Sequence, residues 1–435
     1  MLAGATHAPV VELSERLARL TGLGHAFYAS DGASATEIAL KMSAHYWRNS
    51  GRPEKNGFIS LQNGYHGETI GALSVTDIPL FKSTYKPLLR HTVQVPTPDA
   101  RLAEAGESAE AYALRCAAAL ETHLAEHAAT TAAFIVEPLV QGAAGMAMYH
   151  PAYLARAREL CDRYEVHLIA DEIAVGFGRT GTMFACEQAA AYLPTDPNAE
   201  TAPPSRPRGS APAESGDSVS RRSGTTTASE QAAASHPPSK PFPSTEGGPA
   251  PSPSRGEGWG GGERPSNRAS RIADFICLSK GITGGYLPLS AVLTTDHIYG
   301  AFYGDETARG FLHSHSYTGN PLACRAALAV LDIFENDQVI AANRARSLEF
   351  TDILAQVAAH PRVRHFRHLG MIWAFDVSGT APGFAARFHR AALAQGVFIR
   401  PIGNTVYVMP PYVTGADPMR GLAQTLRACL DDPAV

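Results

Sequence analysis

Cysteine is scarce in this chain and never occurs in closely spaced pairs. The 435 residues include 6 cysteines, and no Cys-x-x-Cys motif is present. Cysteines scattered in this way indicate neither a zinc site nor a disulfide framework. His66, His313 and His315 also have no metal-ligand partners at a convincing spacing. We therefore expect no bound metal and interpret His66, His313 and His315 as structural.

Strong charge of one sign is absent as well. The chain has 37 Lys and Arg residues against 41 Asp and Glu residues, a formal net charge of −4. No basic patch is interleaved with aromatic residues, so we expect no nucleic-acid partner. No apolar run is long enough to span a bilayer, and no signal-like run follows the start. We expect no membrane association and a cytoplasmic location.

Short apolar segments alternate with helical patterns over most of the chain. A representative helical pattern is Tyr153–Tyr164. The strand-like segments are His25–Ala29, Phe58–Leu61, Ala133–Val136, His167–Ala170, Asp274–Leu278 and Leu289–Thr294. This alternation predicts an α/β fold with a mostly parallel sheet, and such sheets bind ligands at the carboxyl ends of their strands.

From about Asp337 onward the pattern changes and favours a small α+β domain with a final helix. The predicted elements are an extended stretch at Val363–Val377, a helix at Pro382–Gln395, and short strands near Val397–Arg400 and Thr405–Met409.

The segment from about Thr195 to Ser270 has a different composition. Pro, Ser, Gly, Thr and Ala dominate it, and it has almost no aliphatic run. It cannot bury enough apolar surface to offset the entropy of ordering, which predicts disorder. We expect an insertion looped out at the surface, because loop-closure entropy grows only logarithmically with length. An interaction segment is the alternative.

Two of the strand-like segments end in functional groups that are followed by glycine-rich loops. Lys280 begins Lys-Gly-Ile-Thr-Gly-Gly, and Asp171 begins Asp-Glu-Ile-Ala-Val-Gly-Phe-Gly-Arg-Thr-Gly. Pyridoxal phosphate chemistry needs such a pair. The amine forms a Schiff base with the aldehyde, and the acid keeps the pyridine nitrogen protonated. Either motif by itself is more often a surface loop or a solvated strand end.

Three further residues each allow two interpretations. Tyr65, between Gly64 and Gly67, is either a ring that stacks on a flat cofactor or a turn tyrosine. Asp31 opens a helix whose N-terminus suits a phosphate, or it simply caps that helix. Arg400 offers a planar fork for a carboxylate, or it is a surface arginine after a short strand.

Together these segments closely resemble the fold-type I pyridoxal phosphate enzymes and, within them, the class III aminotransferases. The Asp171 and Lys280 motifs carry the resemblance to this class. The resemblance implies a mostly parallel, seven-stranded-type sheet flanked by helices. It also implies a division into a large cofactor-binding domain at 1–194 and 271–336, the insertion at 195–270, and a small α+β domain at 337–435.

The resemblance also implies roles for individual residues. Lys280 forms the Schiff base and then moves a proton, Asp171 pairs with the pyridine nitrogen, and Tyr65 stacks on the ring. The implied phosphate cradle comprises Asp31, Gly32 and Ala33, with Ser316 contributed by a second subunit; Ala33 stands where serine is commoner. The implied substrate-binding residues are Tyr65, Lys280, Ser314, Arg400 and Tyr407. Arg179 and Glu68 are expected to lie behind these residues.

Two finer motifs, Glu137-Pro-Leu-Val-Gln-Gly and Ile399-Arg-Pro-Ile-Gly-Asn, are most similar to class III enzymes of biotin biosynthesis that aminate 8-amino-7-oxononanoate with S-adenosylmethionine. This similarity implies pyridoxal 5'-phosphate as cofactor, a homodimer, and 7,8-diaminononanoate as product. Another class III ω-aminotransferase is an alternative. A truncated, non-catalytic remnant that binds the cofactor is a second alternative, because Met1 matches a point inside the family's chain. The family's preceding region lines the substrate pocket, so the resemblance also implies slow turnover.

Overall fold

The computed structural model describes residues 5–193 and 269–435. Residues 195–268 of the predicted insertion therefore lie outside the described residues. None of the described helices is both long enough and apolar enough to cross a membrane.

The described strands and helices follow the predicted alternation over most of the chain. In chain order the strands are β1 (His25–Ala29), β2 (Gly57–Leu61), β3 (Val93–Val95), β4 (Thr131–Val136), β5 (Val140–Gln141), β6 (Ala147–Met148), β7 (His167–Asp171), β8 (Phe275–Leu278), β9 (Ser290–Thr294), β10 (Val363–Leu369), β11 (Ile372–Val377) and β12 (Thr405–Val408). The α-helices are α1 (Ala8–Thr21), α2 (Gly32–Asn49), α3 (Ile70–Val75), α4 (Pro79–Lys82), α5 (Ala109–His127), α6 (Ala152–Arg163), α7 (Asp296–Gly300), α8 (Pro321–Asn336), α9 (Val339–Ala358), α10 (Phe384–Ala394) and α11 (Ala416–Asp431).

The largest sheet has seven strands in the order β1-β9-β8-β7-β4-β2-β3. Strand β9 is antiparallel to both of its neighbours, and the other adjacent pairs are parallel. Since β1 and β8 are both antiparallel to β9, they run in the same direction. The carboxyl ends of β1, β2, β4, β7 and β8 therefore share one edge. The predicted α/β class with a mostly parallel sheet is confirmed.

Both faces of this sheet are buried under helices. Leu168 and Ala170 of β7 pack into the core that contains Leu120 of α5 and Tyr153 of α6. Ile169, between them, packs on the opposite face with residues of α2. Successive strand residues point to opposite faces, so a strand covered on both sides needs a continuous apolar run. This requirement explains the uninterrupted sequence Leu-Ile-Ala before Asp171.

The C-terminal residues form an antiparallel sheet in the order β10-β11-β12. It shares a separate core, which includes Trp373 and Phe388, with helices α9 to α11. The predicted strand near Val397–Arg400 is wrong, because the structure has no strand there. The Ile399 carbonyl oxygen instead lies 2.7 Å from the Nδ1 atom of His389. The chain then turns at once, since Ile402 and Thr405 exchange backbone hydrogen bonds.

Candidate active site

A cleft of about 390 Å³ lies at the carboxyl edge of the seven-stranded sheet. Residues that follow β1, β2, β4, β7 and β8 line it. It brings together these residues predicted for the site: Asp31, Gly32, Ala33, Tyr65, Asp171 and Lys280. The convergence follows from the parallel arrangement, because loops after parallel strands meet at one edge.

Asp171 is the last residue of β7 and is only 4% exposed. Its Oδ2 atom lies 2.7 Å from the Nδ1 atom of His66, whose N–H donates to it. Its Oδ1 atom accepts a hydrogen bond from the backbone N–H of Ile173 at 3.1 Å. Both carboxylate oxygens therefore have partners, which fix the orientation of the side chain.

The sequence interpretation of His66 as merely structural missed this contact. The side chain is buried at the cleft wall, and its second nitrogen, Nε2, has no hydrogen-bond partner among the described residues. One feature of the sequence could have predicted this contact. His66 comes directly after Tyr65, in a loop that follows a parallel strand. That position puts it at the same edge of the sheet as Asp171.

Glu137 is a second cleft residue for which the sequence interpretation gave no role. It follows β4 and is 5% exposed. Its two carboxylate oxygens accept hydrogen bonds from the backbone N–H groups of Tyr65 and Gly142, both at 3.0 Å. Burial raises the pKa of Glu137 to about 7. The side chain therefore ties the backbone of Tyr65 to the β5–β6 hairpin.

Tyr65 is half-buried in the cleft wall. Its hydroxyl donates to the Oε1 atom of Glu68 at 3.0 Å, and its ring lies 5.4 Å from that of Phe81. Burial, and then the hydrogen bond to Glu68, raise the pKa of Tyr65 to about 12. Glu68 itself lines the cleft, contrary to the expectation that it would lie further back.

The N-terminus of α2 also opens at the cleft. Asp31 caps this 18-residue helix, because its Oδ1 atom accepts the backbone N–H of Ser34 at 2.9 Å. The capping role and a place in the cleft wall thus coexist. Gly32 packs tightly on the loop after Asp171, since a Cβ at 32 would lie 2.9 Å from a side-chain carbon of Ile173. A helix N-terminus attracts anions through its free N–H groups and its dipole.

Lys280 follows β8, the strand next to β7, and begins a 3₁₀ turn over Lys280–Thr283. Its side chain is exposed at the cleft. Its φ of 44° is in the left-handed region. That region costs a residue with a Cβ about 1–2 kcal/mol, so the surroundings must impose this conformation.

The remaining predicted residues do not line this cleft of the single chain. Ser314 and Ser316 are exposed on the segment between α7 and α8, and Arg400 is exposed before β12. Tyr407 of β12 is half-buried and packs against the main core. Arg179 lies behind the cleft, where it donates to the Pro410 carbonyl oxygen at 2.9 Å.

The chain matches the class-III aminotransferase family over residues 1–197 and 267–430. It is 37% identical to the adenosylmethionine-8-amino-7-oxononanoate aminotransferase of Helicobacter pylori, over 99% of this chain and 80% of that protein. It is 33% identical to the protein of that name from Geobacter sulfurreducens, over 96% and 77%.

Two solved structures match this chain with equal TM-scores and equal sequence identities. The adenosylmethionine-8-amino-7-oxononanoate aminotransferase of Methanocaldococcus jannaschii matches with a TM-score of 0.75 and 28% identity, over 99% of this chain and 81% of that one. An amine transaminase from an uncultivated Pseudomonas species, in its PLP-bound form, matches with a TM-score of 0.75 and 28% identity, over 99% and 82%.

Proposed function

Because this chain belongs to the class III aminotransferase family, we propose that it transfers an amino group from S-adenosylmethionine to 8-amino-7-oxononanoate. The product would be 7,8-diaminononanoate, a step of biotin biosynthesis. One observation carries the proposal. The amine of Lys280 and the buried carboxylate of Asp171 end adjacent strands in one cleft, in a chain that matches enzymes named for this reaction over nearly its whole length.

Pyridoxal phosphate is the cofactor. The donor set of the cleft fits it, because an amine, a buried carboxylate and a helix N-terminus converge there. Lys280 would hold its aldehyde, Asp171 its pyridine nitrogen, and the N-terminus of α2 its phosphate. When bound, the cofactor withdraws electrons from the substrate carbon that carries the amino group.

The side chains of this chain perform the remaining tasks. Asp171 presents an oriented carboxylate that is shielded from water, where charge–charge interactions are strong. Once it is free of the aldehyde, the Nζ atom of Lys280 would be the base that moves the proton during transfer. Tyr65 provides a wall of the cleft, and Glu137 keeps the backbone of that wall in place.

Recognition of the substrate would use the residues outside this cleft. We place Arg400 at the substrate carboxylate, because its guanidinium is exposed and suits bidentate binding. Tyr407 and Ser314 would line the same pocket. Ser316 would reach the phosphate site of a second copy in a homodimer, which agrees with its position outside the cleft of its own chain. Residues 337–435 would form a small domain beside the site, and the enzyme would act in the cytoplasm.

A second candidate is an aminotransferase that uses a simple amine as donor. The Pseudomonas amine transaminase matches this chain with the same TM-score and identity as the Methanocaldococcus enzyme. The fold therefore does not discriminate between donors, and only the substrate-binding side chains do.

The two candidate functions differ in the amino donor that the enzyme accepts, so an assay of donors distinguishes them. The purified full chain is incubated with pyridoxal phosphate and 8-amino-7-oxononanoate, and the diamine product is measured with S-adenosylmethionine, with lysine and with 1-phenylethylamine. We expect product with S-adenosylmethionine. Turnover with 1-phenylethylamine alone would favour the second candidate. Cofactor binding without turnover of any donor would indicate a non-catalytic protein.

A further inference from the structure

The loop after Asp171 contains a buried phenylalanine in an unusual backbone conformation. Phe177 is 2% exposed and has a φ of 53°. A residue with a Cβ adopts this left-handed region only where its surroundings hold it there. Gly176, just before it, is packed so closely that a Cβ would lie 2.8 Å from the Glu172 carbonyl oxygen.

The Phe177 side chain packs against Gly281, the residue directly after Lys280. A Cβ at Gly281 would lie 2.8 Å from the Cβ of Phe177 and 3.1 Å from its Cγ. Any residue larger than glycine would therefore collide with Phe177. Lys280, directly before Gly281, is itself in the left-handed region with a φ of 44°. Contact with Phe177 thus limits the positions that the backbone beside Lys280 can take.

Tyr412 binds the backbone of Phe177. Its hydroxyl donates to the Phe177 carbonyl oxygen at 2.7 Å. The guanidinium of Arg179 lies 4.4 Å from the centroid of the Tyr412 ring and fixes it by a cation–π contact. Arg179 also donates to Pro410, two residues before Tyr412, at 2.9 Å. The tyrosine and the loop are therefore fixed to each other at more than one point.

The far end of the same loop is anchored independently. The backbone N–H of Met371 donates to the Arg179 carbonyl oxygen at 2.8 Å, and the Nε of Arg344 donates to that of Gly181 at 3.0 Å. These bonds hold residues 179–181 whether or not the Tyr412 hydroxyl is present. Removal of that hydroxyl should therefore affect mainly Phe177.

We propose that Tyr412 is a positioning residue for Lys280. Its hydroxyl holds the Phe177 backbone, and the Phe177 side chain packs against Gly281. The position of Gly281 in turn limits where the amine of Lys280 lies. Neither Tyr412 nor Phe177 lines the cleft, so the effect is transmitted through packing alone. The inference rests on the proposed role of Lys280 as the residue that holds the cofactor aldehyde.

Tyr412→Phe tests this directly, since it keeps the ring and removes the hydroxyl. The full chain, freed of cofactor, is mixed with pyridoxal phosphate. Total binding is followed by fluorescence quenching, and condensation with the lysine by visible absorbance. We expect condensation to slow by about five- to tenfold, the effect of losing one neutral hydrogen bond, while total binding changes less than about twofold.

Tyr46→Phe is the matched control. The Tyr46 hydroxyl lies 2.7 Å from the Nε2 atom of His297, so an equally short hydrogen bond is lost, and Tyr46 does not line the cleft. We expect wild-type condensation from this variant. If both variants slow condensation equally, the effect is a general loss of stability and the inference is wrong.

Gly281→Ala alters the contact between Phe177 and residue 281 and leaves Tyr412 unchanged. The added methyl should displace Phe177 and slow condensation as well. Because both changes act through Phe177, the double variant should be slower by clearly less than the product of the two single effects. A fully multiplicative loss, or wild-type condensation by Tyr412→Phe, overturns the inference. If wild-type protein is not labelled at Lys280 by borohydride, the proposed function fails first, and this inference fails with it.

Discussion

Replacement of Gly370 by alanine should lower the free energy of unfolding for two reasons, an unfavourable backbone conformation and a steric collision. Gly370 lies between β10 and β11 and has a φ of 57°. A Cβ there would lie 2.3 Å from the carbonyl carbon of Thr180, 2.5 Å from the nitrogen of Gly181 and 2.6 Å from the carbonyl oxygen of Arg179. All three are backbone atoms, so no side-chain rotation can relieve the collision.

The magnitude has two parts. The left-handed backbone costs alanine about 1–2 kcal/mol, and forcing an extra carbon into a packed contact costs about 1–3 kcal/mol more. We expect Gly370→Ala to lower the free energy of unfolding by about 2–5 kcal/mol. Gly379 has a φ of 69° and nothing within 4 Å of an added Cβ, so Gly379→Ala should show only the first part.

Urea unfolding of the two variants and the wild type, followed by intrinsic fluorescence, measures the difference from the midpoints. Gly370→Ala should also reduce transamination, because the displaced residues 179–181 belong to the loop that follows Asp171. Equal losses of stability in the two variants would contradict the reasoning, since they would show that the backbone contact between residues 370 and 179–181 is not tight in solution.

Two further predictions concern cleft residues, and a third concerns Glu172, which is buried directly after Asp171. Lys280→Ala should abolish borohydride fixation of pyridoxal phosphate and leave the urea midpoint nearly unchanged, because the side chain is exposed; labelling of another lysine in wild-type protein would refute the assignment. Asp171→Asn should reduce transamination by at least about a hundredfold, because the amide no longer supplies negative charge, and full turnover would exclude the proposed pairing with the pyridine nitrogen. Burial raises the pKa of Glu172 from 4.5 to about 7. Its folded state therefore binds the proton more tightly, so the contribution to stability is complete below pH 4.5 and is lost as the pH rises through about 7. Glu172→Gln removes this titration but also one acceptor for the N–H groups of Ala185 and Cys186. The variant should be less stable than wild type at pH 5, and the gap should narrow by about 2–3 kcal/mol at pH 8; a gap independent of pH would show that the carboxyl is not buried as described.

Much of the fold and part of the cleft were determined by local sequence. A strand covered on both faces needs an apolar run, and the polar residue that ends the run comes out at the sheet edge. This rule was enough to predict the strands that precede Asp31, Tyr65, Asp171 and Lys280. Once the sheet is parallel, these residues must meet, because the carboxyl ends of parallel strands share an edge.

The tertiary structure alone decided which groups pair within that edge. The contact of His66 with Asp171 requires the loop after β2 to reach the end of β7 across β4, and the strand order that permits this depends on long-range packing. Glu137 binds the Tyr65 backbone for the same reason. The strand predicted near Val397–Arg400 failed because apolar residues there pack without a strand partner, and the His389 side chain takes up the Ile399 carbonyl. The contact of Tyr412 with Phe177 joins residues 235 positions apart, so no local pattern could reveal it. A local pattern sets which face of an element is buried, whereas hydrogen bonds between distant segments depend on how the whole chain packs.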